Sequence, residues 1–83
     1  PLTAYWAVTL LGRAGPDAAV HQRVITDLLE QSSDLSLQEK AAWSLGRMHA
    51  DSSQAIVALQ NAAQSPEPRL SRVASKSLQQ ISI

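Results

Sequence analysis

The sequence predicts an all-α protein folded as an α-solenoid, and three observations carry the prediction. The 83 residues include only 4% aromatics, three glycines and no Phe, while Ala, Leu, Gln, Glu and Arg, all helix formers, are abundant. Leu37, Ala41, Leu45 and Met48 fall on one helix face, and no stretch alternates with period two for more than a few residues. The chain also resembles itself at a period of 33–34 residues, the mark of stacked repeats. Leu11-Gly12-Arg13 returns as Leu45-Gly46-Arg47 and, without the glycine, as Leu78-Gln79-Gln80, while Ala7, Ala41 and Ala74 keep step.

The expected elements follow in order. A first helix over residues 3–13 ends at Gly15-Pro16, and a second over residues 17–31 ends at Ser32-Ser33. A third covers residues 34–49. Asp34 starts it unless the capping-box spacing Ser36-Leu37-Gln38-Glu39 does so. Gly46 lies near its end, where a missing Cβ admits a close neighbour or a left-handed stop. His49-Ala50 is then a turn, and Asp51 is the expected N-cap of a fourth helix over residues 51–64, with a buried stripe of Ile56, Leu59 and Ala63. Ser65-Pro66-Glu67-Pro68 stops that helix and opens a fifth over residues 68–81, because proline suits a helix only in its first turn. Short turns make neighbouring helices antiparallel, and repeated pairs bury their faces on one another. The segment 1–83 is therefore expected as one unit, with repeats over residues 1–33, 34–66 and an incomplete 67–83.

Two well-known periods of this length fail on their residues. Tetratricopeptide and ankyrin repeats run to ~34 and ~33 residues. Trp43 precedes Leu45 by two positions rather than three, and no Thr-Pro-Leu-His hairpin occurs. The first-helix motif instead reads Lys40-Ala41-Ala42-Trp43-Ser44-Leu45-Gly46-Arg47, with Trp6-Ala7-Val8-Thr9-Leu10-Leu11-Gly12-Arg13 before it and Val73-Ala74-Ser75-Lys76-Ser77-Leu78 after it. These segments resemble the short HEAT-like repeat of the bilin (phycobiliprotein) lyase type, over essentially the whole chain. The resemblance implies a right-handed α–α superhelix, the armadillo-type fold, of about two and a half helix pairs. An early Arg of that motif is replaced here by Ala4, Gln38 and Ser71, so any contact it makes between repeats has to come from Arg69 or Arg72.

Charge and composition exclude several functions. Seven Lys+Arg balance seven Asp+Glu, which argues against a bulk polyanion binder, so no nucleic-acid partner is expected. Without cysteine there is neither a disulfide nor a thiolate metal site. No apolar run approaches the ~18 residues of a membrane span, and with no basic n-region or apolar h-region after Pro1 no signal peptide is expected in this segment. A start at Pro1 rather than Met reads as a piece of a longer chain, whose compartment the residues do not fix, with the cytoplasm favoured.

Catalysis is not expected either. His21 sits within the second helix and His49 in a turn, with no nucleophile, base and acid that converge. The reading is a non-catalytic segment without cofactor or metal. Its alternative is the non-catalytic part of a lyase-like or other enzyme whose active site lies in other sequence. As an interaction scaffold, it would hold a protein partner on the surface lined by the second helices, through Gln22, Asp27, Glu30, Gln60, Asn61 and Gln64. Arg69, Arg72 and Lys76 form a basic stripe at i, i+3 and i+7, read as a solvated face or an acidic-partner site. Three cations are few for a phosphate track. Trp43 aligns with the polar Thr9 and Lys76, so it reads as half-exposed packing or a ligand contact. Apolar ends near Tyr5, Trp6 and Leu78 lead to an expectation of end-to-end self-association.

Overall fold

Helices α1 (Leu2–Ala14), α2 (Gln22–Gln31), α3 (Leu35–Arg47), α4 (Ser53–Ala63) and α5 (Pro68–Ser82) account for most of the computed structural model, with a 3-10 helix over Gly15–His21 between α1 and α2. The structure describes residues 2–82, so Pro1 and Ile83, the ends of the expected single unit, lie outside the described residues. Helix covers 85% of the described residues and none of them is in a strand. The chain is all-α.

The helix ends show how the sequence punctuates itself. Asp34, in extended conformation, starts α3: its Oδ1 accepts from the backbone N–H of Ser36 at 3.0 Å and of Leu37 at 3.4 Å. Ser36 is therefore inside the helix and not its cap. At the other end of α3, His49 adopts φ 53°. The N–H of Ala50 reaches Leu45 O at 3.1 Å and that of His49 reaches Gly46 O at 3.2 Å, which is the Schellman pattern with histidine in the left-handed position. The left-handed stop is thus at His49, not at Gly46.

Two elements differ from expectation. Asp51 does not cap α4. Ser52 does, with its Oγ accepting from Ala55 N–H at 3.1 Å, while Asp51 accepts from Gln22 Nε2 at 3.2 Å. Ser52 has the extended backbone and the short hydroxyl that reach the free amide of Ala55 in the first turn, and Asp51, one residue earlier, turns to α2. The expected second helix is also divided. Gly15 at φ 68° ends α1, Pro16 brings no N–H, and α-helix begins only at Gln22. One turn before the buried pair Ile25 and Leu29 stands the exposed His21, so no apolar stripe rewards α-helical pitch there.

The core gathers on α3, which packs against α1, α2 and α5, while α4 packs on α5 and α2. Leu45, Ala41 and Ala42 of α3 and Met48 at its C-terminal cap are fully buried, together with Val8, Ile25, Leu59 and Ala74 from the surrounding helices. Two faces are rotated from expectation. In α4 the buried residues are Ala55, Ala58, Leu59 and Ala62, with Ile56 and Ala63 half-buried. In α1 Ala7 is exposed and Val8 takes its place against α3. α4 thus turns mainly alanines toward α5 and α2, while α1 turns in Val8 and leaves the smaller Ala7 outside, so bulk alone does not decide the buried face. The molecule spans 31 × 31 × 17 Å, and its short dimension suits two packed helices whose axes lie ~8–10 Å apart.

Close approach is concentrated at two glycines. A Cβ on Gly46 would lie 2.6 Å from Ser77 Oγ and 2.7 Å from Ser77 Cβ of α5. Ser77 Oγ donates to Ala42 O at 2.7 Å, one turn before that glycine. The same contact joins α3 to α1: Ser44 Oγ donates to Val8 O at 3.1 Å, and Gly12 lies four residues on, under Trp43 and Ser44. Both serines are buried, and each hydroxyl is satisfied by a helix carbonyl.

Two stability outcomes follow. Leu45→Ala should cost ~2–5 kcal/mol, measured by urea unfolding, because its site is sealed on all sides; a change within ~0.5 kcal/mol is what a surface site gives. Gly46→Ala should lower the melting temperature. Its gain in helix propensity is up to ~1 kcal/mol, whereas the clash with Ser77 forces α5 away at a cost of ~1–3 kcal/mol. A variant at least as stable as the parent would show that α3 and α5 are not in close contact at Gly46.

Candidate functional site

Two surfaces carry the candidate residues. On the first, α2 faces α4, and a groove of about 340 Å³ runs between them. Leu29, Ala58, Ala62 and Leu70 are its buried apolar lining, and Glu30, Gln38 and Asn61 are its polar lining. Gln54 Nε2 of α4 bridges to Asp27 Oδ1 and Glu30 Oε1 of α2, each at 3.2 Å, so the two helices are cross-linked on the exposed side. Gln38 Nε2 reaches the carbonyl of Leu29, at the end of α2, at 3.4 Å.

The six residues expected to form a partner surface divide here. Glu30 and Asn61 line the groove together, and Asp27 lines a neighbouring hollow with Val24, Leu28 and Leu37. Gln60 and Gln64 are exposed on α4 and just beyond it. Gln22 has a structural task, because its Oε1 accepts from Ser52 N–H at 3.0 Å while its Nε2 donates to Asp51, clamping the turn before α4 onto α2.

The second surface lies across α1, α3 and α5. Tyr5, Ser36, Glu39, Lys40, Trp43, Arg69 and Val73 line a groove of about 210 Å³. Lys40 Nζ sits 4.5 Å from the centre of the Trp43 ring and 5.4 Å from that of Tyr5, and the Arg47 guanidinium lies 6.0 Å from Trp43. These are cation–π distances. Of the expected basic stripe, Arg69 pairs with Glu39, Nε to Oε1 at 3.2 Å, tying α5 to α3. Lys76 lines a second hollow beside Trp43, and Arg72 is exposed without a partner in either groove.

Sequence reasoning passed over Lys40 and Arg47. Their signal was present: they stand three before and four after Trp43, the spacings at which helix side chains meet. His21 and His49 are both exposed, and no group of three or more His, Asp or Glu that could hold a metal ion occurs among the described residues. Among those residues no helix is long and apolar enough to cross a membrane. Compared with family models, curated proteins and solved structures, the chain matches none.

Proposed function

We propose that the chain is a non-catalytic protein–protein interaction module, a segment of HEAT-like α-solenoid that holds a protein partner in the groove between α2 and α4. The observation that carries the reading is that groove: apolar residues buried at its base, and Glu30, Gln38 and Asn61 around them. An apolar centre with a polar rim is the usual anatomy of a protein interface.

The stacked-repeat part of the reading rests on the serine contacts. Ser44 and Ser77 are 33 residues apart, and the carbonyls they reach, Val8 and Ala42, are 34 apart. The contact therefore recurs at the period of the sequence, with α1, α3 and α5 side by side and α4 set against α5 and α2. Self-association belongs to the same reading. α1 exposes Trp6 and Leu10, with Val20 and Val24 exposed in the segments that follow, and a second copy would cover these apolar side chains.

Two experiments test these proposals. The triple variant Asp27→Ala/Glu30→Ala/Asn61→Ala should melt only slightly below the parent, because the Gln54 bridge it removes is exposed and surface substitutions stay within ~0.5 kcal/mol each, and should lose affinity for a partner that binds the parent. Retained affinity would move the binding surface elsewhere. Sedimentation at high concentration should show species above monomer mass that Leu10→Lys disperses; a strict monomer would end the self-association proposal.

A further inference from the structure

The balanced charge of the chain hides a segregation. Helices α1, α3 and α5 carry Arg13, Lys40, Arg47, Arg69, Arg72 and Lys76 against the single acid Glu39. The remaining acids lie elsewhere: Asp17 in the 3-10 helix, Asp27 and Glu30 on α2, and Asp34, Asp51 and Glu67 in the turns. Arg23 is the one cation outside the three helices. A face of one sign attracts the opposite sign whatever the net charge of the molecule.

On that face the cations are not spread evenly. Four of them surround one half-buried ring. Lys40 and Arg47 lie over Trp43 from the same helix, Lys76 borders the adjoining hollow from α5, and Arg69 stands at the far side of the groove. The two hollows, of about 210 and 200 Å³, share Trp43 and Val73, so together they make one trough across α3 and α5 with Tyr5 of α1 at its edge. Arg69–Glu39 is the only ion pair among the described residues. Lys40, Arg47 and Lys76 thus gather without an ion pair of their own among the described residues, and Glu39, the one carboxylate lining the trough, is paired with Arg69.

We propose that this trough docks an acidic segment of a partner protein, with one apolar side chain laid on Tyr5, Trp43 and Val73 and with carboxylates reaching Lys40, Arg47 and Lys76. Charge complementarity selects the acidic class, and the aromatic floor selects a segment that also carries an apolar residue. Trp and Arg together are the side chains most often found at the energetic centre of interfaces. A nucleic acid fits less well. With Arg69 paired to Glu39, only three of the cations around the ring stay unpaired, few for a phosphate track, and they ring an apolar floor instead of following a strand. Glu39 can also accept a backbone N–H of the docked peptide. The site is separate from the α2–α4 groove, and it stands or falls independently of that one.

The test is selection of a displayed library of random peptides, about a dozen residues long, on the 83-residue chain, followed by affinity measurements with the selected synthetic peptides. Selected sequences should be enriched in Asp and Glu around one aliphatic or aromatic residue. In a Trp6→Phe background, leaving Trp43 as the only indole, binding should shift the emission. Lys40→Gln/Lys76→Gln should weaken binding by about tenfold or more, and added salt should weaken it further, as for exposed charges. Asn61→Ala should leave it unchanged. The proposal is overturned if the selected peptides show no excess of acid, if they bind Lys40→Gln/Lys76→Gln as tightly as the parent, if Asn61→Ala weakens them, or if single-stranded DNA binds the trough more tightly than any selected peptide. An unchanged melting temperature for Lys40→Gln/Lys76→Gln shows that loss of binding is not loss of fold. Acidic peptides that fail while the chain self-associates through Lys40 and Lys76 would assign the face to a second copy and likewise overturn it.

Discussion

Everything in this molecule is arranged around how closely α3 can approach its neighbours. A small protein has little apolar surface to bury, and this one uses many alanines and no Phe. Alanine cores hold only if the helices lie near each other, since dispersion falls away within a fraction of an ångström of contact. Gly46 removes the Cβ that would otherwise meet Ser77, and Gly12 does the same beneath Trp43 and Ser44. The serine hydroxyls then reach helix carbonyls that already serve the helix, so no polar atom is stranded by the approach. Small side chains, a missing Cβ and a back-bonded hydroxyl work as one device, used on both flanks of α3.

Much of the fold was legible because it rests on local rules. Asp34 caps its helix as an aspartate before an apolar run should, Pro68 opens α5, and the spacing of Leu37, Ala41, Leu45 and Met48 identified a buried face. What was not legible depends on neighbours. Ser52 caps α4 in place of Asp51 because Gln22, thirty residues earlier, holds the turn by Ser52 N–H and Asp51 Oδ1. The rotation of α4 onto Ala55 and Ala58 is invisible to a count of bulky residues, since its reason is the closeness of the helices it meets. His21 interrupts the stripe that would have carried α2 back to Asp17, and only packing shows that a 3-10 segment replaces it.

The candidate surfaces divide along the same line. Glu30 and Asn61 were found as outward residues of second helices, and the structure brings them to one groove. Gln22 has the same polarity and a position on the same helix, yet it is spent on the turn before α4. Polarity and helical position mark exposure well and free surface poorly. The basic face was half legible: the stripe on α5 was visible, but the cations that complete it come from α3, and the sequence separates Trp43 from Lys76 by thirty-three positions.

Trp43 links the packing device to the proposed chemistry. Its ring rests over Gly12, where a Cβ could not fit, so the close approach of α1 and α3 also fixes the ring's depth and tilt. A ring held in that way costs little further entropy when a ligand lands on it, since its rotamer is already chosen by the core. Lys40 and Arg47 are held against the same ring, and their long stems cover apolar surface while their charges stay near water. Substitution of Gly12 would therefore disturb two things together, the seating of α1 on α3 and the platform that the cations surround. Position 12 is where the stability of this fold and the shape of its basic face are set by the same atoms.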